Sequence, residues 1–218
     1  MHGIGISTES LEKLRGISVS QLADCFGPSC PIEIGIRPLD IEFRICGPAR
    51  TVRCEPGENL TLHHALHLAH PGEVLVASGS PDYGLWGELM STSAKSRGLK
   101  GTVIDGAARD PVEIKTSGYC VFSRCIHPRK ALKDRYGDVD VPVHCGSLVV
   151  NPGDIIVADA NGIIAFPADR LTEAVRLGLE LVQNEKDLME QFRNGQTIFE
   201  IAGLDRFVPK EKLWTSRP

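Results

Sequence analysis

The sequence predicts an α/β fold in which helices cover a β-sheet. Between residues 59 and 104 the apolar spacing alternates between helical and extended, which gives the order helix, strand, helix, strand and is typical of layered α/β architectures. Further along, three β segments precede a long amphipathic helix. The alternation points to an α/β layer architecture, to which the three later segments add a β meander.

The composition predicts one globular domain over residues 1–218. The 218 residues are 42% hydrophobic and 24% charged, enough for a single well-buried core. The formal charge is −4, and no run of five like charges occurs. This balance argues against binding to nucleic acid or to an anionic membrane, so we expect a small molecule or another protein as the partner.

The seven cysteines include no C-x-x-C pair and do not resemble a disulfide framework in a chain of this length. The first residues lack a basic segment followed by an apolar one, and nowhere do eighteen apolar residues run uninterrupted. We therefore expect a soluble protein of the reducing cytoplasm.

Two short helices are predicted at the start of the chain. Ser7 is suited to cap the first helix, and Ser18 or Ser20 the second, which ends before Gly27.

A strand, a helix and a second strand are predicted next. Residues 41–53 alternate in polarity around a bend at Gly47, which is typical of sheet. Residues 59–69 have near-helical apolar spacing and end at Pro71. Residues 73–77 form an apolar run that predicts a buried strand.

The central stretch predicts a helix opened by Gly87, a short strand over residues 102–104 and a turn at Asp105-Gly106. This turn would place Arg109 and Asp110 side by side. In open α/β folds the carboxyl end of a buried strand is where ligands tend to bind.

A helix over residues 111–117 is predicted to end at Gly118, followed by a strand over residues 119–123. Residues 126–140 form a charged loop whose length suggests a role in function or assembly.

Three β segments at residues 141–150, 155–158 and 162–166 predict a β meander. A long amphipathic helix follows over residues 168–193. The tail, residues 198–218, has no clear pattern.

Glu88, Arg109 and Asp110 form the candidate active site. Twenty residues separate Glu88 from Arg109, enough for one helix and one return strand that bring both ends together. Arg109 could then clamp a substrate carboxylate bidentately. Asp110 offers a hard oxygen ligand suited to Mg²⁺ or Mn²⁺.

The start of the helix at Gly87 is a candidate anion site. Glycine lets a ligand approach without a Cβ in the way, and the first turn of a helix offers free backbone N–H groups. The groups concerned are those of Glu88, Leu89 and Met90.

Each of these residues also has a simpler interpretation. Asp110 is a good N-cap, with Pro111 at the first helical position and Glu113 completing a capping box. Glu88 could be a first-turn carboxylate favoured by the helix dipole, and Arg109 a solvated surface charge. Capping and metal binding are compatible, because the carboxylate of Asp110 has two oxygens.

Four histidines fall within one predicted helix and its end, at positions 63, 64, 67 and 70. His63 and His67 would share a helix face, as zinc ligands do. The stretch lacks the H-E-x-x-H pattern and any nearby cysteine, so we interpret it as a solvent-facing surface.

Several segments resemble the family that joins 4-hydroxy-4-methyl-2-oxoglutarate aldolases with regulator of ribonuclease activity A proteins. That family has an acidic residue, twenty residues and then Arg-Asp, as Glu88, Arg109 and Asp110 do. The matching segments are WGELMSTSAKSRGLKGTVIDGAARD (86–110), GPARTV (47–52), HPGEVLVASG (70–79), CIHPR (125–129) and VVNPGDIIVADANGIIAFP (149–167).

The resemblance implies a β/β/α swivelling-type, phosphohistidine-domain-like fold and divalent-metal-dependent cleavage of a 2-oxo acid. By the motif, Arg109 would bind the pyruvyl group, Asp110 would ligate Mg²⁺ or Mn²⁺, and Glu88 would orient a metal-bound or catalytic water. Amides at Leu89 and Met90 would hold the substrate carboxylate.

The resemblance also implies a homotrimer or hexamer, with residues 168–218 at the subunit interface. The family borrows an acidic residue from the C-terminal helix of a neighbouring subunit. Glu185 is the match, and Glu180 and Glu190 compete with it.

Two functions remain open on the sequence alone. The first is a class II aldolase, a carbon–carbon lyase that cleaves 4-hydroxy-4-methyl-2-oxoglutarate-type acids to pyruvate and also decarboxylates oxaloacetate, because both reactions pass through a pyruvate enolate. The second is a non-catalytic, protein-binding regulator of ribonuclease activity.

Overall fold

The helices and strands of the computed structural model, which describes residues 6–209 and 212, follow the predicted order closely. Within that part of the chain the α-helices are α1 (Thr8–Arg15), α2 (Val19–Phe26), α3 (Leu60–Leu68), α4 (Glu88–Ser96), α5 (Pro111–Ser117), α6 (Leu171–Arg193) and α7 (Ile198–Ile201). The strands are β1 (Arg37–Pro38), β2 (Ile45–Arg53), β3 (Val74–Ser78), β4 (Gly84–Trp86), β5 (Gly101–Ala108), β6 (Val121–Ile126), β7 (Asp138–Val139), β8 (Val143–Cys145), β9 (Leu148–Val150), β10 (Ile155–Asp159) and β11 (Gly162–Phe166).

The main sheet has the strand order β1-β6-β5-β3-β2-β10-β11, with β4 added beside β5 and β7 beside β2. Its centre, β2, β3, β5 and β6, is parallel, and β1, β10 and β11 are antiparallel to their neighbours. The segment before and including β1 bridges the two edges, because Glu33 pairs with Ile163 of β11 while Arg37 pairs with Ser123 of β6. The sheet is therefore nearly closed, and the predicted α/β class, a β core covered by helices, is confirmed.

Local capping explains where several helices begin and end. The hydroxyl of Ser7 accepts from the Ser10 amide, and Ser18 forms a reciprocal capping box with Gln21. Gly118 ends α5 in the left-handed conformation, with φ of 68°, which glycine adopts without strain. The predictions for these helix ends are confirmed.

Two predictions for the β structure of residues 41–108 were wrong. The strand predicted from Ile41 begins only at Ile45. Asp105 and Gly106 lie inside β5 instead of forming a turn. The Asp105 carboxylate is satisfied there, since it accepts from Arg124 Nε at 2.6 Å and from the Gly146 amide at 2.7 Å.

The predicted β meander was also wrong in its first segment. Residues 141–150 fold back on themselves as a separate two-stranded sheet of β8 and β9, and only β10 and β11 join the main sheet. Gly146 turns the chain with φ of 60°. The Ser147 amide donates to Glu33 Oε2 at 2.6 Å, which ties this hairpin to the segment that closes the sheet.

Two compact units divide the chain between Gly178 and Leu179. The first contains the sheet and α1 to α5. The second contains most of α6, then α7, whose N-terminus is closed by a capping box between Thr197 and Glu200. The predicted single domain over residues 1–218 stays a prediction. Among the described residues no helix is long and apolar enough to cross a bilayer.

Candidate active site

The candidate site lies where β5 ends and where α4 and α5 begin. The Arg109 amide donates to the Trp86 carbonyl at 2.8 Å, and the His127 amide donates to the Ala108 carbonyl at 2.9 Å. These bonds hold the end of β5 between β4 and the segment that follows β6. Arg109 and Asp110 therefore emerge from a fixed strand end directly beside Gly87.

A buried tryptophan holds the start of α4 in place through two consecutive hydrogen bonds. Trp86 is fully buried, and its indole N–H donates to Ser91 Oγ at 2.8 Å. Ser91 Oγ in turn donates to the Gly87 carbonyl at 3.0 Å. Because a buried indole N–H needs an acceptor, this pair of bonds fixes the first turn of α4 over the core.

Asp110 occupies the N-cap position of α5 without capping it. Its backbone is left-handed, with φ of 58° and ψ of 48°, and its side chain makes no capping hydrogen bond. The carboxylate instead accepts from Arg109 Nε at 3.0 Å and from the Glu88 amide at 3.2 Å. Aspartate is one of the few non-glycine residues that adopt the left-handed conformation readily, so the departure from an ordinary N-cap lies in the side chain. The capping interpretation of Asp110 is therefore wrong.

Gly87 is required by the close approach of these two side chains. A Cβ at this position would lie 2.6 Å from Asp110 Oδ2 and 2.9 Å from Arg109 Cγ. The backbone of Gly87 is extended, with φ of −149° and ψ of −170°, so any residue could adopt it. Space, and not backbone conformation, is what demands glycine here.

The predicted anion site at the start of α4 comprises three backbone amides, and one of them already has a partner. The Glu88 amide is already bonded to Asp110, so the prediction that it stays open for a ligand was wrong. Leu89 and Met90 follow in the first turn, where amides have no intrahelical acceptor. The Glu88 side chain is exposed, and its contact with Asp110 is through the backbone.

A cavity of about 330 Å³ opens on this strand end, and its walls carry three cations and one carboxylate. The lining residues are Asn59, His63, Gly84, Leu85, Gly87, Leu89, Met90, Arg109, Asp110, Lys130, Ala131 and Lys133. The excess of positive charge favours small anions.

Two lysines of the cavity wall were not among the site residues predicted from the sequence. Lys130 and Lys133 belong to the charged loop after β6, whose length did suggest a functional role. The backbone N–H of Asn59 donates to the Leu132 carbonyl at 3.0 Å, and the backbone N–H of Leu132 donates to the Gly57 carbonyl at 2.9 Å. These bonds pin the loop beside α3, and thereby bring both lysines to the cavity.

His63 also lines the cavity. Burial, together with the nearby positive charge of Lys133, lowers the pKa of His63 below its ordinary value of 6.5. Among the described residues no group of three or more His, Cys, Asp or Glu side chains is placed to hold a metal ion together. Asp110 fits a different kind of site, in which Mg²⁺ is held by one or two carboxylates and several waters.

Glu185 lies on α6 in the second unit, together with its competitors Glu180 and Glu190. The predicted helix that carries all three is confirmed. The choice among them, like the roles of the other site residues, stays a prediction.

Comparison with known proteins gives a consistent family relationship. The family model described as RraA-like, Aldolase/RraA, matches residues 19–165. A Halalkalibacterium halodurans protein named "Putative 4-hydroxy-4-methyl-2-oxoglutarate aldolase" is 33% identical over 159 residues, covering 72% of this chain and 76% of that protein.

Two solved structures are similar over most of their length. An uncharacterized protein from Pseudomonas syringae pv. tomato has a TM-score of 0.81 at 28% identity, covering 92% of this chain and 95% of that one. RraAS2 of Streptomyces coelicolor, described as an unusual member of the RNase ES inhibitor RraA protein family, has a TM-score of 0.76 at 26% identity, covering 85% and 98%.

Proposed function

Because the chain belongs to the RraA-like family of aldolases and RraA proteins, we propose that it is a divalent-metal-dependent aldolase. Its substrates are 2-oxo acids of the 4-hydroxy-4-methyl-2-oxoglutarate type, which it cleaves to pyruvate, and it also decarboxylates oxaloacetate. The observation that carries the proposal is Asp110, an N-cap residue whose carboxylate turns away from its helix towards Arg109 and the Glu88 amide.

The substrate binds between the cations of the cavity wall, Arg109, Lys130 and Lys133, and the start of α4. The amides of Leu89 and Met90 hold the carboxylate next to the 2-oxo group. The guanidinium of Arg109 has five N–H donors, and its contact with Asp110 uses only the one on Nε. The terminal amino groups of Arg109 bind the 2-oxo oxygen, where negative charge develops.

Cleavage breaks the bond between C3 and C4 of the substrate. A water oriented by Glu88 takes the proton of the C4 hydroxyl, the C3–C4 electron pair passes into a pyruvate enolate, and the water later returns a proton to C3. Arg109 stabilises the enolate oxygen. Asp110 would hold Mg²⁺ or Mn²⁺, which when bound supplies Lewis-acid stabilisation of the same oxygen. Oxaloacetate reaches the same enolate by losing carbon dioxide.

The test is pyruvate release from 4-hydroxy-4-methyl-2-oxoglutarate and from oxaloacetate in the presence of Mg²⁺. Arg109→Ala should lower kcat/KM about a thousandfold, the size of effect seen when a transition-state anion donor is removed. Arg53→Ala is the matched control, because Arg53 is exposed and forms only a surface ion pair with Asp138. Equal rates for the wild type and Arg109→Ala would refute the assignment.

A second candidate function is regulation of a ribonuclease by direct binding. It is favoured by the similarity to RraAS2, described as belonging to the RNase ES inhibitor RraA family. An RNase E-type enzyme inhibited equally by the wild type and by Arg109→Ala, without pyruvate release by either protein, would support this function over the aldolase.

We also propose a cytoplasmic homotrimer or hexamer in which Glu185 completes a neighbouring site. The support is the amphipathic α6, on which Leu179, Met189 and Phe192 remain partly exposed. Apolar surface of this kind is typical of a covered interface.

A further inference from the structure

Asn59 occupies the N-cap position of α3 but does not cap it. Its backbone has φ of −128° and ψ of 15°, and its side chain makes no capping hydrogen bond. Asparagine is favoured at N-caps because its side-chain oxygen accepts a bond from the first turn. Asn59 thus resembles Asp110: each is suited to cap a helix, lies at the cavity and makes no capping hydrogen bond with its side chain.

The orientation of the Asn59 amide is determined by its neighbours. Nδ2 donates to the Leu85 carbonyl at 2.9 Å and lies 3.8 Å from Met90 Sδ. The reversed orientation would set Oδ1 against the Leu85 carbonyl, two acceptors without a hydrogen between them. The nitrogen therefore faces Leu85, and Oδ1 is the atom left for another partner.

Oδ1 has no protein partner. Asn59 is 7% exposed, and among the described residues its Oδ1 is the one buried side-chain nitrogen or oxygen without a hydrogen bond. Leaving such an acceptor unpaired in the protein interior is destabilising. Unpaired buried groups in native proteins call for an explanation, and a donor that arrives with the ligand is one.

The location of Asn59 limits what that donor can be. Asn59 lines the same cavity as Arg109 and Asp110. The carboxylates and the 2-oxo group of the proposed substrates only accept hydrogen bonds, and the hydrogen of the C4 hydroxyl is the one removed in cleavage. The water that moves protons, by contrast, has two hydrogens to donate. Met90 and Lys133 share this wall, and such unbranched side chains can rotate to admit a water to Oδ1.

We propose that Oδ1 of Asn59 holds the water that acts as acid and base in aldol cleavage, so that Asn59 is a positioning residue of the site. The inference rests on the proposed aldolase function. One hydrogen of the water is held by Asn59, and the other is assigned to the Glu88 carboxylate by the proposed mechanism, in which Glu88 orients this water. A lone pair of the water is thereby aimed at the substrate hydroxyl.

The proton balance follows from this arrangement. The hydroxyl O–H bond breaks and its proton passes to the water, while the water gives its other proton to the carboxylate. The C3–C4 pair becomes the enolate, and the reverse path protonates C3. Asn59 keeps its hydrogen bond throughout and is itself unchanged.

Three reactions separate this role from a structural one. Aldol cleavage and the exchange of pyruvate methyl hydrogens with D₂O both need the acid–base water. Loss of carbon dioxide from oxaloacetate breaks its C–C bond without a base. A defect in positioning the water should therefore affect the first two reactions and leave the third, measured as carbon dioxide released in a single turnover, nearly unchanged, because the enolate is protonated only after carbon dioxide has left.

The test is Asn59→Leu, with Arg53→Ala as the control, because Arg53 is exposed, pairs with Asp138 and lies outside the lining of the cavity. We expect Asn59→Leu to lower aldol cleavage and methyl exchange at least tenfold, mainly in kcat, while carbon dioxide release stays within about twofold of the wild type. Retained carbon dioxide release also shows that the variant folds.

Two results would overturn the inference. If all three rates fall together in Asn59→Leu, its role is structural, and if none changes, Oδ1 takes no part in the reaction. A wild-type protein inactive in all three assays would instead refute the proposed function itself.

Discussion

Substituting Gly87 by alanine tests whether the site depends on close packing at the start of α4. The added methyl group would lie 2.6 Å from Asp110 Oδ2 and 2.9 Å from Arg109 Cγ. Ordinary contacts of a Cβ begin near 3.4 Å, so the carboxylate must retreat by about 0.8 Å or the start of α4 must move by that amount. Either movement separates Asp110 from the Glu88 amide.

The expected magnitude follows from that displacement. A misplacement of about 1 Å in a catalytic group can cost about a hundredfold in rate, and we expect a loss of this size in kcat/KM for both aldol cleavage and oxaloacetate decarboxylation. Any loss of stability should come from this clash alone, because the backbone of Gly87 is extended and alanine adopts that conformation without strain. Coupled pyruvate assays and thermal melts measure the two effects separately.

Gly16→Ala is the matched control. A Cβ there would meet only the Lys13 carbonyl, at 3.4 Å, and φ of −80° suits alanine. This variant should retain wild-type rates. Wild-type activity in Gly87→Ala itself would show that the contact with Asp110 is not needed, and would refute the reasoning.

Three further predictions follow from the site. Asp110→Asn should abolish Mn²⁺ binding in calorimetry and leave the melting temperature nearly unchanged, because asparagine tolerates the left-handed backbone; retained Mn²⁺ affinity would contradict the metal role. Because the pKa of His63 is lowered in the folded protein, the unfolded chain binds more protons than the folded one below about pH 6.5. When urea denaturation is repeated from pH 7.5 downwards, the free energy of unfolding should therefore fall faster for the wild type than for His63→Gln. The exposed His67→Gln is the control, and parallel curves for the wild type and His63→Gln would refute the prediction. Light scattering should report a trimer or hexamer at micromolar concentration, and mixing inactive Arg109→Ala with inactive Glu185→Gln should restore part of the activity if subunits share sites; a monomer would exclude the shared site.

The sequence could predict those parts of the fold that depend on neighbouring residues. Ser7 and Ser18 cap their helices, and Gly118 ends α5, because each of these bonds closes within a few residues. The proximity of Glu88 to Asp110 was also predictable, since one helix and one parallel strand return the chain to the same edge of the sheet.

Features set by distant contacts were not predictable in the same way. Asp105-Gly106 has the composition of a turn, yet it continues β5 because Arg124 and Gly146 satisfy the Asp105 carboxylate. Lys133 reaches the cavity through the bonds of Leu132 to residues more than seventy positions earlier. No local pattern in a single sequence reports such pairings.

The two residues at the cavity that depart from local rules do so in the same way. Asn59 and Asp110 each stand at a helix N-cap, the position for which their side chains are best suited, and neither makes the capping bond. Giving up a cap costs about 0.5–2 kcal/mol. Sequences tend to break local rules where function requires it, and both side chains face a single cavity beside Arg109. The departures therefore support the proposal of a reactive centre in this cavity more directly than the Glu88, Arg109 and Asp110 spacing does, because that spacing is equally compatible with ordinary helix capping.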